Sequence, residues 1–343
     1  MNFSTKIINW YQQNFRDLPW RNTNDAYKIW LSEIILQQTR VNQGLPYYLN
    51  FINAFPTVFD LANASEQEVL KLWQGLGYYS RARNLHFTAK IVVEQYNGIF
   101  PNTYAELIQL KGIGTYTAAA IASFSSNEPV AVVDGNVFRV LARVFSVNYD
   151  ISQNTSKKYF QELAQNVLSE KNPNIHNQAI MEFGALQCVP KNPNCESCVL
   201  NTSCEAYKLN LVAELPVKLK KVEVRKRYLN YIIVQDSIGN YLLQKRTGTG
   251  IWKNLYEFYC IESENEITEK EVLKSVSQDF SIEDFYHYNN FDVVHKLSHQ
   301  QLNIKFYFVK TKQVLVENVY TLQEVKELPV PIVLHNFMEK IVF

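Results

Sequence analysis

The sequence predicts two domains, an all-α domain that closes with a cysteine loop and an α+β domain after it. Three observations carry this expectation. Apolar residues recur at helical spacing through the first two hundred residues, runs rich in β-branched and aromatic residues begin near Tyr228, and four of the five cysteines fall within 17 residues. A length of 343 residues suits two domains of about 150 residues each.

The helical reading rests on Thr5–Asn14, Ala26–Val41, Glu66–Trp73, Tyr104–Gln109, Tyr116–Phe124 and Asn136–Phe145, separated by Pro, Gly and Asn. The strand reading rests on Tyr228–Gln235, Tyr241–Gln244, Leu302–Val309 and Gln313–Val316, with Gly239-Asn240 as a turn signal. Between the two lies Leu211–Arg227, where Lys218, Lys220, Lys221, Arg225, Lys226 and Arg227 surround Pro216 without helical periodicity. The expected division is therefore 1–210, a basic linker 211–227, and 228–343.

Composition excludes several classes. With 47% hydrophobic and 20% charged residues the chain is no disordered tail. Five cysteines are too few for a disulfide scaffold, and their clustering points to metal ligation in a reducing compartment. No uncharged stretch of roughly 18 residues is apolar enough for a membrane span, and Met1–Trp10 lacks a sustained apolar run. A cytoplasmic, soluble protein is expected. Thirty-four basic against thirty-three acidic residues leave a charge of +1, but the distribution is uneven: +1 for 1–210, +4 for 211–227 and −4 for 228–343. An anionic partner must then be held by placed groups rather than by a general field.

Cys188, Cys195, Cys198 and Cys204 have the spacing C-x6-C-x2-C-x5-C. Zinc favours paired two-residue knuckles or mixed Cys/His sets, whereas one tight pair with wider flanks suits a [4Fe–4S] cubane. The residues between, Pro190 to Pro193, leave Lys191 free to meet a phosphate. Cys260 stands apart between Tyr259 and Ile261 and reads as a packed apolar thiol.

Lys111-Gly112-Ile113-Gly114 separates two helical segments. Two glycines one residue apart let successive N–H groups aim at an anion beside a helix N-terminus, although a plain helix–helix turn has the same composition. Asp134 ends the apolar run Val130–Val133 just before a helix, where it can cap that helix or stabilise a developing cation. Glu33 interrupts Ile29–Leu36, a helix apolar almost all round. Burial there raises a carboxyl pKa and keeps it protonated near neutrality, as a general acid requires. Two carboxylates in different environments are the usual equipment for breaking a glycosidic bond through an oxocarbenium-like state.

Leu18–Arg21, Trp30–Val41, Gly75–Leu85, the glycine hairpin, Val133–Val137 and the cysteine loop together resemble the helix-hairpin-helix base-excision DNA glycosylases with an iron–sulfur cluster, and among these the adenine-removing branch. The resemblance implies an all-α helix-hairpin-helix glycosylase domain followed by an α+β domain, where Lys245-Arg246 and Gly250–Phe258 look like the family's Nudix-like part that senses 8-oxoguanine. It further implies that Glu33 protonates adenine, that Asp134 stabilises the sugar cation with Asn136 ordering the site, and that Trp20 and Arg21 line the base pocket. Gln38, Thr39 and Tyr78 would probe the duplex around the opposing base, while Ser298 and His299 would meet the oxidised guanine. DNA phosphate would be held by Lys111, Gly112, Gly114 and Lys191. Tyr116 stands where strand-cleaving relatives have a lysine, which implies base removal without efficient strand cleavage.

The pattern departs from the family at Leu297, usually Phe, and at Lys111, usually Pro. Glu262, Glu264, Glu266, Glu269 and Glu271 do not form the acidic helix signature of an active Nudix hydrolase. The expected partner is duplex DNA carrying adenine opposite 8-oxoguanine or guanine, bound by a monomer. The competing readings are a thymine or oxidised-pyrimidine glycosylase of the same superfamily, a non-catalytic DNA-damage binder, and a Nudix pyrophosphatase fused to a DNA-binding module.

Overall fold

A computed structural model describes residues 2–219, 224–288 and 293–340. The chain forms two compact units, one of residues 1–63 with 84–220 and the other of 64–83 with 221–343.

The first unit is helical, and its elements start where the sequence supplies caps. The Asn2 side chain accepts from Thr5 N at the head of helix Phe3–Asn14, and Asp25 accepts from Tyr27 N at the head of Ala26–Leu36. The core runs through helices Gly135–Val144, Asn154–Val167 and Pro173–Leu186, where Val137, Leu141, Phe160, Ala179, Ile180 and Phe183 are buried together. Leu200 and Ala206 from the cysteine loop belong to this same core, so the loop is folded down onto the helices.

Helix Ala26–Leu36 ends five residues earlier than periodicity suggests. Gln38 takes a left-handed φ of 55°, which breaks the hydrogen-bond ladder, and a new helix begins at Val41. Gln38 and Thr39 consequently sit on a tight turn.

The glycine hairpin is a true turn. Gly112 has φ 78°, a conformation that favours glycine, and a Cβ there would lie 2.7 Å from Asn84 Cβ. Gly114 is the N-cap of helix Thr115–Ser126, with no side chain satisfying its first N–H groups.

Among the described residues the second unit is built on a seven-stranded mixed sheet: β1 (Arg225–Gln235), β2 (Tyr241–Lys245), β3 (Tyr256–Ser263), β4 (Ile282–His287), β5 (Val293–Lys296), β6 (Gln300–Thr311) and β7 (Val319–Tyr320). The order is β4-β6-β1-β3-β2-β7, with β5 paired to β6. The long central pair β1 and β6 is parallel, from Arg225 opposite Gln300 to Gln235 opposite Lys310, and the remaining pairs are antiparallel. Helix Glu269–Asp279 covers one face through Val272 and Val276, which pack with Ile232, Val234, Tyr307 and Val309. On the opposite face the Phe337 ring stacks on Phe306.

Three sequence expectations change. Gln313–Val316 is not a strand, because β6 ends at Thr311 and the chain then turns, with Lys312 N donating to Ser281 O. Context overrides β-propensity there: Gln313 N donates to Thr311 Oγ1 and its carbonyl accepts from Ser237 N. Segment 64–83, expected within the helical domain, groups with the sheet instead. Its side chains explain why: Asn254 Nδ2 donates to Glu66 Oε1 at 2.5 Å, Val330 N to Gln74 Oε1 at 3.2 Å, and Arg83 Nη1 to Lys253 O at 2.9 Å.

The linker expectation also narrows. Leu215 is buried in the helical core and its carbonyl accepts from Arg143 Nε at 3.0 Å, while Arg225 already pairs in β1. Lys220 and Lys221 lie outside the described residues.

Phe160 has no exposed surface and meets Phe138 edge-on. Phe160→Ala is expected to destabilise the helical unit by about 3–5 kcal/mol, read as a lowered urea midpoint followed by far-ultraviolet circular dichroism.

Candidate active site

Glu33 is delivered by the buried helix Ala26–Leu36, and Tyr116 by the second residue of the helix after the glycine hairpin. They meet: Tyr116 Oη donates to Glu33 Oε2 at 2.7 Å. Only 7% of Glu33 is exposed, and desolvation pushes its carboxyl up to about 7 against the opposing effect of the Tyr116 hydrogen bond. Burial together with the neighbouring carboxyls holds the Tyr116 phenol well above its ordinary value, so it remains a donor.

Asp134 is the N-cap of helix Gly135–Val144 and faces the same pocket. Its Oδ1 accepts from Val137 N and its Oδ2 from Asn136 Nδ2, both at 2.8 Å. Desolvation raises its pKa while these donors and Arg139 draw it back. Capping and facing the pocket are thus compatible roles for one carboxylate. One oxygen is held by the helix N-terminus and the other by a side-chain amide, which fixes its orientation.

Trp20 and Arg21 line the same pocket. Arg21 is not free to follow a ligand, however. Its guanidinium pairs with Glu182 at 2.9 and 2.7 Å and donates to Arg16 O. Arg16 donates to both carboxylate oxygens of Glu182 as well, at 2.8 and 2.6 Å. Burial alone would raise the Glu182 pKa, but hydrogen bonds from Arg16 and Arg21 bring it to about 2, so the group stays ionised. The sequence reading missed Glu182. Its signal was an acid placed between Ile180-Met181 and Phe183-Gly184 in a helix leading to the cysteine loop.

Arg139 and Arg143 were missed too. Arg139 Nη2 donates to Asn136 Oδ1 at 2.8 Å and to Gly184 O at 2.6 Å, and its Nε donates to Cys188 O at 2.7 Å. Arg143 donates to the carbonyls of Val189, Pro190 and Leu215, and Nη1 lies 3.5 Å from Cys188 Sγ. Both arginines tie helix Gly135–Val144 to the start of the cysteine loop.

All four clustered cysteines line one cavity with an apolar wall that includes Phe183, Leu200 and Val212. Among the described residues, no group of three or more His, Cys, Asp or Glu closes tightly enough for a single metal ion. The four thiols share this one cavity and are the side chains that could hold an inorganic centre. Desolvation pushes the Cys198 thiol up to about 11, so ionisation there calls for a compensating positive centre. Lys191 is exposed in the loop ahead of Cys195.

Lys111 is also exposed, its Nζ 4.3 Å from the centroid of the Phe87 ring, and its carbonyl accepts from Thr88 Oγ1. In the second unit, Ser298 and His299 form the turn between β5 and β6, closed by Leu297 N donating to Gln300 O. They line a pocket with Gly75–Ser80, Trp252 and His295. Tyr78, half exposed with φ 48°, hydrogen-bonds Ser298 through its hydroxyl. Residues read from two separate motifs are thereby brought together.

The profile described as "HhH-GPD superfamily base excision DNA repair protein" matches residues 31–168, and that of a NUDIX domain matches 230–340. The adenine DNA glycosylase of Buchnera aphidicola subsp. Baizongia pistaciae (strain Bp) is 40% identical over 270 residues, covering 77% of this chain and 75% of that protein. The adenine DNA glycosylase of Buchnera aphidicola subsp. Schizaphis graminum (strain Sg) is 36% identical over 306 residues, covering 88% and 86%. A solved structure of a thermostable thymine-DNA glycosylase, 30% identical, superposes with a TM-score of 0.56 over 60% of this chain and 95% of that one.

The raised Glu33 pKa has a consequence for stability. Between the ordinary value of 4.5 and about 7 the folded state binds more protons than the unfolded one, so stability falls as pH rises through that window. Glu33→Gln abolishes this titration. It is expected to stabilise the protein by about 3 kcal/mol at pH 8 and by less than about 1 kcal/mol at pH 5, measured as the difference in urea unfolding free energy.

Proposed function

The chain belongs to the adenine DNA glycosylases, hydrolytic N-glycosylases of base excision repair that remove adenine, and from that premise we propose that its substrate is adenine paired with 8-oxoguanine or guanine in duplex DNA. The observation that carries the reading is the buried pair of carboxyls. Glu33 is held near neutrality in its acid form by desolvation, and Asp134 is fixed by two donors on the same pocket.

A base in a duplex must leave the stack to reach an acid enclosed in this way. Glu33 then gives its proton to the extruded adenine. The N9–C1′ electron pair departs with the protonated base, and Asp134 stabilises the sugar cation. Water adds at C1′ and loses a proton to the Glu33 carboxylate. Tyr116 offers no amine for a Schiff base, so the product is an abasic site in an intact strand.

Cys188, Cys195, Cys198 and Cys204 would hold a [4Fe–4S] cluster, which supplies a cross-link between four points of the loop. The shared apolar cavity supports this assignment. Duplex binding would use Lys111, the Gly112 and Gly114 amides and Lys191 for phosphate, and Gln38, Thr39 and Tyr78 around the opposing base. Ser298 and His299 would read the oxidised guanine, and the protein would act as a monomer. No helix among the described residues is long and apolar enough to cross a membrane.

End-labelled duplexes with A:8-oxoguanine, A:G, T:G and A:T, analysed with and without alkali, test the proposal. Breaks only after alkali, and only in the first two, are expected. Glu33→Gln should keep duplex affinity within about threefold and lower adenine release at least about 100-fold. Cleavage confined to T:G, or nicking without alkali as fast as base release, would overturn the reading.

Titrating salt gives a second check. With only a few phosphates neutralised, the logarithmic salt slope should stay shallower than about −5.

A further inference from the structure

Helix Pro173–Leu186 crosses the N-terminal end of helix Gly135–Val144 at Gly184. The approach is closer than any side chain permits. A Cβ on Gly184 would lie 2.7 Å from Asn136 Cβ, 3.0 Å from Asn136 O and 3.1 Å from Asn136 C. Two of those atoms are backbone and the third is bonded to it, so relief would require moving the first turn of the helix. That turn is where Asn136 Nδ2 and Val137 N hold the two oxygens of Asp134.

The Gly184 carbonyl has a part of its own. It accepts from Arg139 Nη2 at 2.6 Å, and the same nitrogen donates to Asn136 Oδ1 at 2.8 Å. The amide of Asn136 is therefore oriented from one side by a guanidinium that Gly184 helps to hold. With its Oδ1 engaged by Arg139, its Nδ2 must face Asp134.

We propose that Gly184 is a positioning residue for the reaction: its missing side chain and its carbonyl set Asn136, and through Asn136 the direction and ionisation of Asp134. The proposal rests on the role given to Asp134 above. Gly184 touches no reacting atom, so its effect must pass through Asn136. Moving the first turn by some tenths of an ångström leaves fold and duplex surface in place but misdirects the carboxylate. Losing the Asn136 donor also makes Asp134 harder to ionise, which moves the acid limb of the pH–rate profile to higher pH.

Single-turnover release of adenine from an A:8-oxoguanine duplex, using the full-length protein with its cluster, tests this with wild type, G184A, N136A and N136A/G184A. G184A should be slower by about 10- to 100-fold, with duplex affinity and visible cluster absorbance within about twofold of wild type. Its acid limb should lie at higher pH, as should that of N136A. The double variant, which keeps the clash but has already lost the Asn136 donor, should be slowed by less than the product of the two single effects.

A G184A rate within about threefold of wild type, or a double variant slowed by the product of the two single effects, overturns the proposal. If G184A does not fold, N136G/G184A, which takes Asn136 Cβ out of the clash, should recover folded protein. Failure of that variant to fold makes position 184 a general packing site and also overturns the proposal. A wild-type protein that releases no adenine overturns the substrate reading, and this inference with it.

Discussion

A carboxyl enclosed in an apolar helix is the constraint from which the rest of the helical unit follows. Glu33 stands in a stretch whose neighbours on every side are buried, and water that would solvate its charge is excluded. One hydrogen bond from Tyr116 stabilises the ionised form without outweighing the desolvation. The balance leaves the group near the midpoint of its titration at neutral pH. A more exposed helix would lose the acid, and a closer cation would ionise it permanently, as the two arginines do to Glu182 in the same pocket.

The partner carboxylate is governed by a different device. Asp134 gains its position from helix termination chemistry, in which an unsatisfied N–H finds a side-chain oxygen, and its second oxygen from Asn136. Asn136 is in turn held by Arg139, whose remaining donors reach Gly184 and Cys188 carbonyls. A buried guanidinium whose three nitrogens all reach carbonyl oxygens is held in place, because each lost contact would leave a charged donor unpaired. The cysteine loop and the aspartate are therefore mechanically continuous: both are fixed to helix Gly135–Val144.

The sheet unit uses its long parallel pair β1 and β6 as a frame and places a pocket at one end of it. The turn ahead of β6 carries Ser298 and His299, and segment 64–83, joined to this unit by side-chain hydrogen bonds, brings Tyr78 to the same pocket. Tyr78 is a left-handed residue in a run flanked by Gly75 and Gly77, so the chain there spends conformational strain to present an aromatic ring. The positive φ of Gln38 does the same for the turn after helix Ala26–Leu36.

Local sequence determined a great deal. Helical spacing and caps located helices Phe3–Asn14, Thr115–Ser126 and Gly135–Val144 to within two residues, because capping and amphipathic periodicity are properties of neighbouring residues. The burial of Glu33 was legible for the same reason, since a helix apolar on all faces leaves no exposed side. The cysteine spacing identified the loop, and turn chemistry identified the hairpin.

Tertiary structure alone decided what depends on distant partners. Glu182 faces Arg16 and Arg21 from more than 160 residues away, Gly184 acts through the backbone of Asn136, and segment 64–83 joins a sheet that begins at Arg225. Gln313–Val316 had the composition of a strand but follows a turn whose backbone bonds go to Ser281 and Ser237. Composition states what a residue can bond or bury; which group it meets is set by packing between elements, and no local pattern encodes that.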